Sequence, residues 1–169
     1  MKKVIKLLIA VMVLISCENK KEVISVDAEN WKERVLSREL DGSLISGTTY
    51  LSIYSQIYNR TEHRTHDLVA TVSMRNTNRT DSVFIEKVDY FNTKGDLIRS
   101  YINKPIYIGP METVEIVIDE LDRDGGTGAN FLFDWKMNHS SNEPFFEAIM
   151  ISTSMGQGLS FTTQGKKLK

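Results

Sequence analysis

From Thr48 onward apolar side chains recur at every second position, the period of a strand with one buried face. In TTYLSIYSQIY the residues Leu51, Ile53 and Ile57 share one face, and Tyr50, Ser52, Tyr54, Gln56 and Tyr58 share the other, which predicts one half-buried strand. DLVATVSMRN turns Leu68, Ala70, Val72 and Met74 inward in the same way. In SVFIEKVDYF the apolar phase slips from Val83 and Ile85 to Val88 and Tyr90, so a β-bulge is expected at Glu86-Lys87. FNTKGDLIRSYI reads as a turn, with Gly95 supplying a positive φ, followed by another strand. Pro105 and Pro110 have no amide proton for a ladder and therefore bound a short edge segment.

The second half keeps the same period. TVEIVID sets Val114, Ile116 and Ile118 against Thr113, Glu115 and Val117, and ANFLFDWKM sets Phe131, Phe133, Trp135 and Met137 against Leu132, Asp134 and Lys136. PFFEAIMIS is apolar on both sides and is expected to be central, while GLSFTT supplies the last strand. About eight short strands with turn residues between them predict an all-β fold, an antiparallel β-sandwich that is immunoglobulin-like in the broad sense, with a partly open β-barrel as the alternative.

Before Thr48 the pattern differs. Lys2, Lys3 and Lys6 precede an uncharged apolar run, Leu7 to Ile15, too short for the ~20 residues of a membrane-spanning helix, so it reads as a signal peptide. Leu14-Ile15-Ser16-Cys17 ends the run with a small residue before the only cysteine of the chain, and in this it resembles a bacterial lipobox. The resemblance implies cleavage after Ser16 and acylation of Cys17, with several fatty chains anchoring the protein where one would hold only marginally. It also implies a mature chain with neither thiol catalysis nor a disulfide. Glu18 does not match the aspartate that keeps some lipoproteins in the inner membrane, which favours the outer membrane; the periplasmic and surface sides stay open. Residues 18 to 47 are polar. Asp27 caps a short expected helix carrying Trp31, Val35 and Leu40, with Trp31 packed on the domain edge. The expected division is a signal peptide over 1–16, the lipidated cysteine and a polar tether over 17–47, and a β-sandwich over 48–169.

Charge changes the picture mainly by exclusion. The formal net charge is −1, and without Lys2, Lys3 and Lys6 there remain 18 basic against 22 acidic residues. A mildly acidic domain has no electrostatic footprint for nucleic acid. The expected partners are the membrane, through the lipid anchor, and an envelope protein or glycan; no cofactor is expected.

YSQIYNR, LVATVSMRNT, VDYFNTKGDLIRSYI, GPMET, GGTGANFLFDW, NEPFFEAIM and GQGLSFTTQG follow one another between Tyr50 and Gly165. In that order they resemble a family of bacterial secreted proteins and lipoproteins in the domain-of-unknown-function series, number three-one-two-four. The resemblance implies an extracytoplasmic domain. It transfers no catalytic residue and does not reach Glu18 to Gly47.

Three places are candidates for chemistry. Asp122 and Asp124 precede Gly125-Gly126 in DELDRDGGTGANF, a spacing akin to calcium loops, but an EF-hand begun at Asp122 needs glutamate where Phe133 stands. The GGTG amides suit an anion nest, and the plain alternative is an irregular loop needing positive φ at Gly125, Gly126 and Gly128. His63 and His66 in EHRTHD lack a third and fourth ligand, with His139 far along the chain, so a solvated hairpin loop is expected and no metal site is assigned. Tyr50, Tyr54 and Tyr58 form a stripe suited to sugars or a protein face, unless a second layer covers them. No G-x-S-x-G or G-x-x-x-x-G-K motif occurs. The expectation is a lipid-anchored binding or interaction module, the alternative a metal-dependent sugar binder or envelope enzyme using Asp119 to Asp124.

Overall fold

The computed structural model describes residues 33–37, 40, 42–152 and 158–168; the signal segment, Cys17, Asp27 and Trp31 lie outside the described residues. Among the described residues twelve strands follow in chain order: β1 (Ile45–Ile53), β2 (Gln56–Asn59), β3 (Thr61–Asp67), β4 (Val69–Arg75), β5 (Val83–Phe91), β6 (Leu97–Ile102), β7 (Ile106–Ile108), β8 (Thr113–Ile118), β9 (Ala129–Met137), β10 (Phe145–Ser152), β11 (Leu159–Gln164) and β12 (Lys166–Lys167). They make a β-sandwich. A six-stranded antiparallel sheet in the order β12-β1-β9-β5-β6, with β7 also on β5, faces a four-stranded sheet β11-β10-β4-β8, and β2-β3 form a separate two-stranded ribbon. Neither sheet closes on itself, so the barrel alternative is not the fold.

The expected alternation fills the space between the sheets. Leu51, Ile53, Leu68, Ala70, Val72, Met74, Val83, Ile85, Val88, Tyr90, Phe131 and Phe133 are all fully buried. Tyr90, Phe131, Phe133 and Phe146 stack in a column with ring centroids 4.8, 5.6 and 4.3 Å apart, and since Phe146 belongs to the opposite sheet, the column joins the two layers. The bulge lies where the apolar phase slips, between Ile85 and Lys87, and Gly95 turns at φ +86°. Both prolines flank β7, a three-residue edge strand.

Two expectations are corrected, and two further elements are placed. Thr48 to Tyr58 is not one strand: β1 ends at Ile53, and Ser55 and Gln56 both donate their amides to the Gly126 carbonyl at 3.1 Å before β2 begins in a different sheet. EHRTHD is strand β3 and not a loop, paired with β2 and polar on both faces. β10 is central in its sheet, as expected, and Ile149 and Ile151 on its outer face are 40% and 42% exposed. β1 starts at Ile45, and an upstream segment docks on the edge of the sandwich. There Val35 bridges Ile106, Leu36 donates its amide to the Pro105 carbonyl at 2.9 Å, and Arg34 pairs with Glu112 at 2.8 Å.

Loops gather at two ends. At one lie the β2-β3 ribbon, the Asn92–Asp96 turn and residues 119–128. At the other lie 76–82, 109–112 and 138–144, tied by Asn76 and Asn78. The Asn76 amide donates to the carbonyls of Asp81, Ile108 and Gly109, and the Asn78 amide donates to Asn142.

Candidate functional site

The tyrosine stripe does not form. Tyr50 stays on β1 and donates its hydroxyl to Asn130, Tyr54 sits in the break after β1 with its ring edge-on to Phe161 at 5.7 Å, and Tyr58 is carried away on the ribbon, 61% exposed. The three therefore do not lie on one strand, as the stripe required.

The Asp/Gly loop is organised around an arginine that its sequence did not advertise. Arg99 on β6 reaches Asp122 at 2.8 Å and Tyr101 at 3.0 Å, and its guanidinium lies 5.8 and 5.7 Å from the ring centres of Tyr90 and Tyr101. Asp122 is therefore buried in an ion pair, whereas Asp124 is largely in solvent, 4.0 Å from the same arginine. Burial works against the Arg99 charge, but Asp122 and Tyr101 outweigh it and hold its pKa above the usual value. Burial pushes the Tyr90 phenol up to about 12, against the opposing hydrogen bond from Ser55 at 2.9 Å. Only Gly126 of the three loop glycines has positive φ, +70°. Gly125 is required for a different reason: a Cβ there would meet Tyr90 Oη at 2.0 Å and Ser55 Oγ at 2.6 Å. The loop seals one end of the core, and its one buried carboxylate already serves an arginine. Among the described residues no three His, Cys, Asp or Glu side chains gather as a metal would require, and His63 lies exposed on the ribbon beside Glu62.

An open concavity lies elsewhere, on the outer face of the six-stranded sheet. Register aligns Thr48 of β1 with Asp134 of β9, and Asp134 with Lys87 of β5, so three residues remote in sequence form one row. The bulge at Glu86-Lys87 brings a second charge from the same strand to this cleft. Ser46, Gly47, Thr48, Glu86, Lys87, Ile102, Asn103 and Asp134 line a cavity of about 600 Å³, within the 300–1,000 Å³ typical of small-molecule sites. Glu86 also borders a second cleft of about 480 Å³, lined by Leu36, Ser37, Leu40, Lys104, Pro105 and Lys136. The docked N-terminal segment thus forms one wall.

Polar groups in the cleft are held in place. Thr48 donates to Asp134 at 2.7 Å, Lys136 pairs with Glu86 at 2.8 Å, and Asp89 takes Lys87 at 2.5 Å and the Ser100 hydroxyl at 2.7 Å. The hydrogen bond and charge of Asp89, with Asp134 nearby, raise the Lys87 pKa, so its ammonium is firmly charged. Lys87 remains half exposed toward the cavity. Ammonium, carboxylate, hydroxyl and amide groups at fixed positions suit recognition of a polar ligand. A threonine beside a carboxylate has no histidine here to act as its base, so the row is not an acyl-transfer triad.

A family model described as "Protein of unknown function (DUF3124)" matches residues 46–168. A solved structure titled "Crystal Structure of Thermotoga maritima 1070" is similar at a TM-score of 0.43 and 10% identity, covering 71% of this chain and 94% of that one. The comparison with curated proteins found no match.

Proposed function

The chain belongs to this DUF3124 family, whose description carries no activity, and from its own residues we propose that it is a lipid-anchored cell-envelope protein whose β-sandwich binds a polar ligand. The observation that carries the reading is Cys17, the only cysteine, placed after Ser16 at the end of an apolar run too short to cross a bilayer. Acylated there, the protein sits on a lipid surface, the outer membrane by the residue that follows the cysteine. Its binding seat is the cleft of Ser46, Thr48, Glu86, Lys87, Asn103 and Asp134, supported by its volume and its fixed polar groups. The binding reading is preferred over a metal-dependent or catalytic role for Asp119 to Asp124 because the buried carboxylate of that segment, Asp122, is already engaged by Arg99.

Mass spectrometry of the mature protein tests the anchor. The expected product begins at Cys17 and carries a diacylglyceryl thioether, and Cys17→Ser leaves the protein in the soluble fraction. A chain that keeps its first sixteen residues refutes it. Titration with soluble peptidoglycan fragments, followed by amide NMR shifts, tests the seat. Shifts should centre on Ser46, Thr48, Lys87 and Asp134, and saturable shifts confined to other surfaces would reject this cleft.

A further inference from the structure

We infer that the end of the sandwich bearing the Gly109–Glu112 loop touches the lipid surface directly, with Met111 as its apolar tip and Arg79 as its cationic neighbour. The inference rests on the anchor proposed above and adds an orientation to it.

Met111 is 67% exposed and stands at φ +58°, a conformation that L side chains rarely adopt. The surrounding structure imposes it. Its amide donates to the Asn78 carbonyl at 3.0 Å, and Asn78 belongs to the asparagine knot that ties the three loops of this end. A backbone outlier held by a rigid frame, presenting an unbranched apolar side chain to solvent, calls for a function. Arg79 follows Asn78, whose carbonyl takes the Met111 amide, and is exposed, so an exposed cation stands one residue from the anchor of the apolar tip. That is the pairing an interfacial surface uses, apolar groups entering the acyl boundary and cations meeting headgroup phosphates.

An independent observation points to the same end. Glu112, next to Met111, holds Arg34, so the first described residues meet the domain beside this loop. Fifteen residues, 18–32, separate Cys17 from Glu33, and a chain of that length spans at most about 50 Å. A second copy is a poorer occupant, because the other exposed residues on the loops of this end, among them Thr77, Thr80, Asn138, Ser140 and Asn142, are mostly polar and offer no apolar area of the size a stable dimer buries. With this end seated, the β2-β3 ribbon projects outward.

The test uses the full lipidated chain in vesicles of phosphatidylethanolamine and phosphatidylglycerol. Acylated Cys17 cannot take a thiol label, so Met111→Cys and Arg60→Cys each provide one labelling site. Arg60 is a matched control, with φ +66° at the tip of the ribbon on the opposite end. A fluorophore at position 111 should be quenched several-fold more by a lipid-borne quencher than one at position 60, and Thr77→Cys should follow position 111 if Met111→Cys fails to fold. Flotation with equal quenching at both ends overturns the orientation alone. Failure to float with an unmodified Cys17 overturns the anchor and the inference with it. Fluorophore self-quenching at position 111 that grows with protein concentration in lipid-free detergent would give this tip to a second copy and also overturn the inference.

Discussion

Gly47→Ala should unfold the protein at a much lower temperature, although Gly47 lies on the wall of the candidate cleft. A Cβ at Gly47 would fall 2.3, 2.6 and 2.8 Å from Cζ2, Cη2 and Cε2 of Trp135. Ordinary carbon contacts lie near 3.5–4.0 Å, so the indole would have to move by more than about 1 Å. It has little room to do so. Trp135 is 1% exposed, lies under Lys167 at 5.4 Å and donates its indole N–H to Thr49 at 2.9 Å. Overpacking costs about 1–3 kcal/mol, and losing that hydrogen bond adds about 1 kcal/mol, for a total of roughly 2–4 kcal/mol. At about 3–5 °C per kcal/mol for a domain of this size, Tm should fall by roughly 6–20 °C in calorimetry. The indole N–H resonance of Trp135 should shift in the same sample. Gly42→Ala is the control, with nothing within 4 Å of its added methyl, and should leave Tm unchanged or slightly raised. Trp135→Phe should recover part of the loss in the Gly47→Ala background by shrinking the ring. Equal melting of the two alanine variants, with an unmoved indole resonance, would refute the packing argument.

Two further outcomes depend on ionisation. Tyr90 has its pKa raised to about 12 from an ordinary 10.0, so the folded state resists its ionisation. Its stabilising share is complete below about pH 10 and is lost as pH rises toward 12, by roughly 2–3 kcal/mol, and the urea midpoint of Tyr90→Phe should fall less over that interval than that of the unaltered protein. At the other end of the scale, burial alone would raise the Glu112 pKa, but the Gly109 amide and Arg34 outweigh it and hold it below 4.5. Their contribution is present above pH 4.5 and lost as pH falls through the folded value, so Arg34→Ala should be less stable near neutrality and converge with the unaltered protein in acid.

Much of the fold was legible because its signal is local. Alternation over Leu68 to Met74 or Phe131 to Met137 states which face is buried, and the phase slip between Ile85 and Val88 states that one residue is extra. The break after Ile53 was not legible. Ile57 keeps the period of Leu51 and Ile53, and what ends β1 is the Gly126 carbonyl, about seventy residues away, capturing two amides. Alternation reports faces and is blind to pairing partners. The ribbon escaped for a related reason, since β3 is polar on both faces and has no buried side to declare itself. Of the site, the bulge alone was visible. Thr48, Asp134 and Lys87 each read as an ordinary outward residue, and only the register of three strands makes them a row. Arg99 was missed likewise, its partner Asp122 lying 23 positions away in a loop that read as a turn.

The same division between faces separates stability from function. The column from Tyr90 to Phe146 and the glycine under Trp135 hold the layers together through inward side chains, where each contact is dry and any change of volume is costly. The cleft uses the alternate positions of the same strands. Its Lys136–Glu86 pair is partly solvated on both sides, and such pairs typically contribute only about 0–1 kcal/mol to folding. Lys136 and Glu86 can therefore be exchanged without a large penalty to the sandwich, while Gly47, whose backbone lines the cleft and whose missing Cβ makes room for Trp135, belongs to both sides. Residues of the first kind are free to answer to a ligand. The bulge at Glu86-Lys87 is where the two roles meet, because one inserted residue keeps Val88 and Tyr90 in the core while placing an extra charge at the mouth of the cleft.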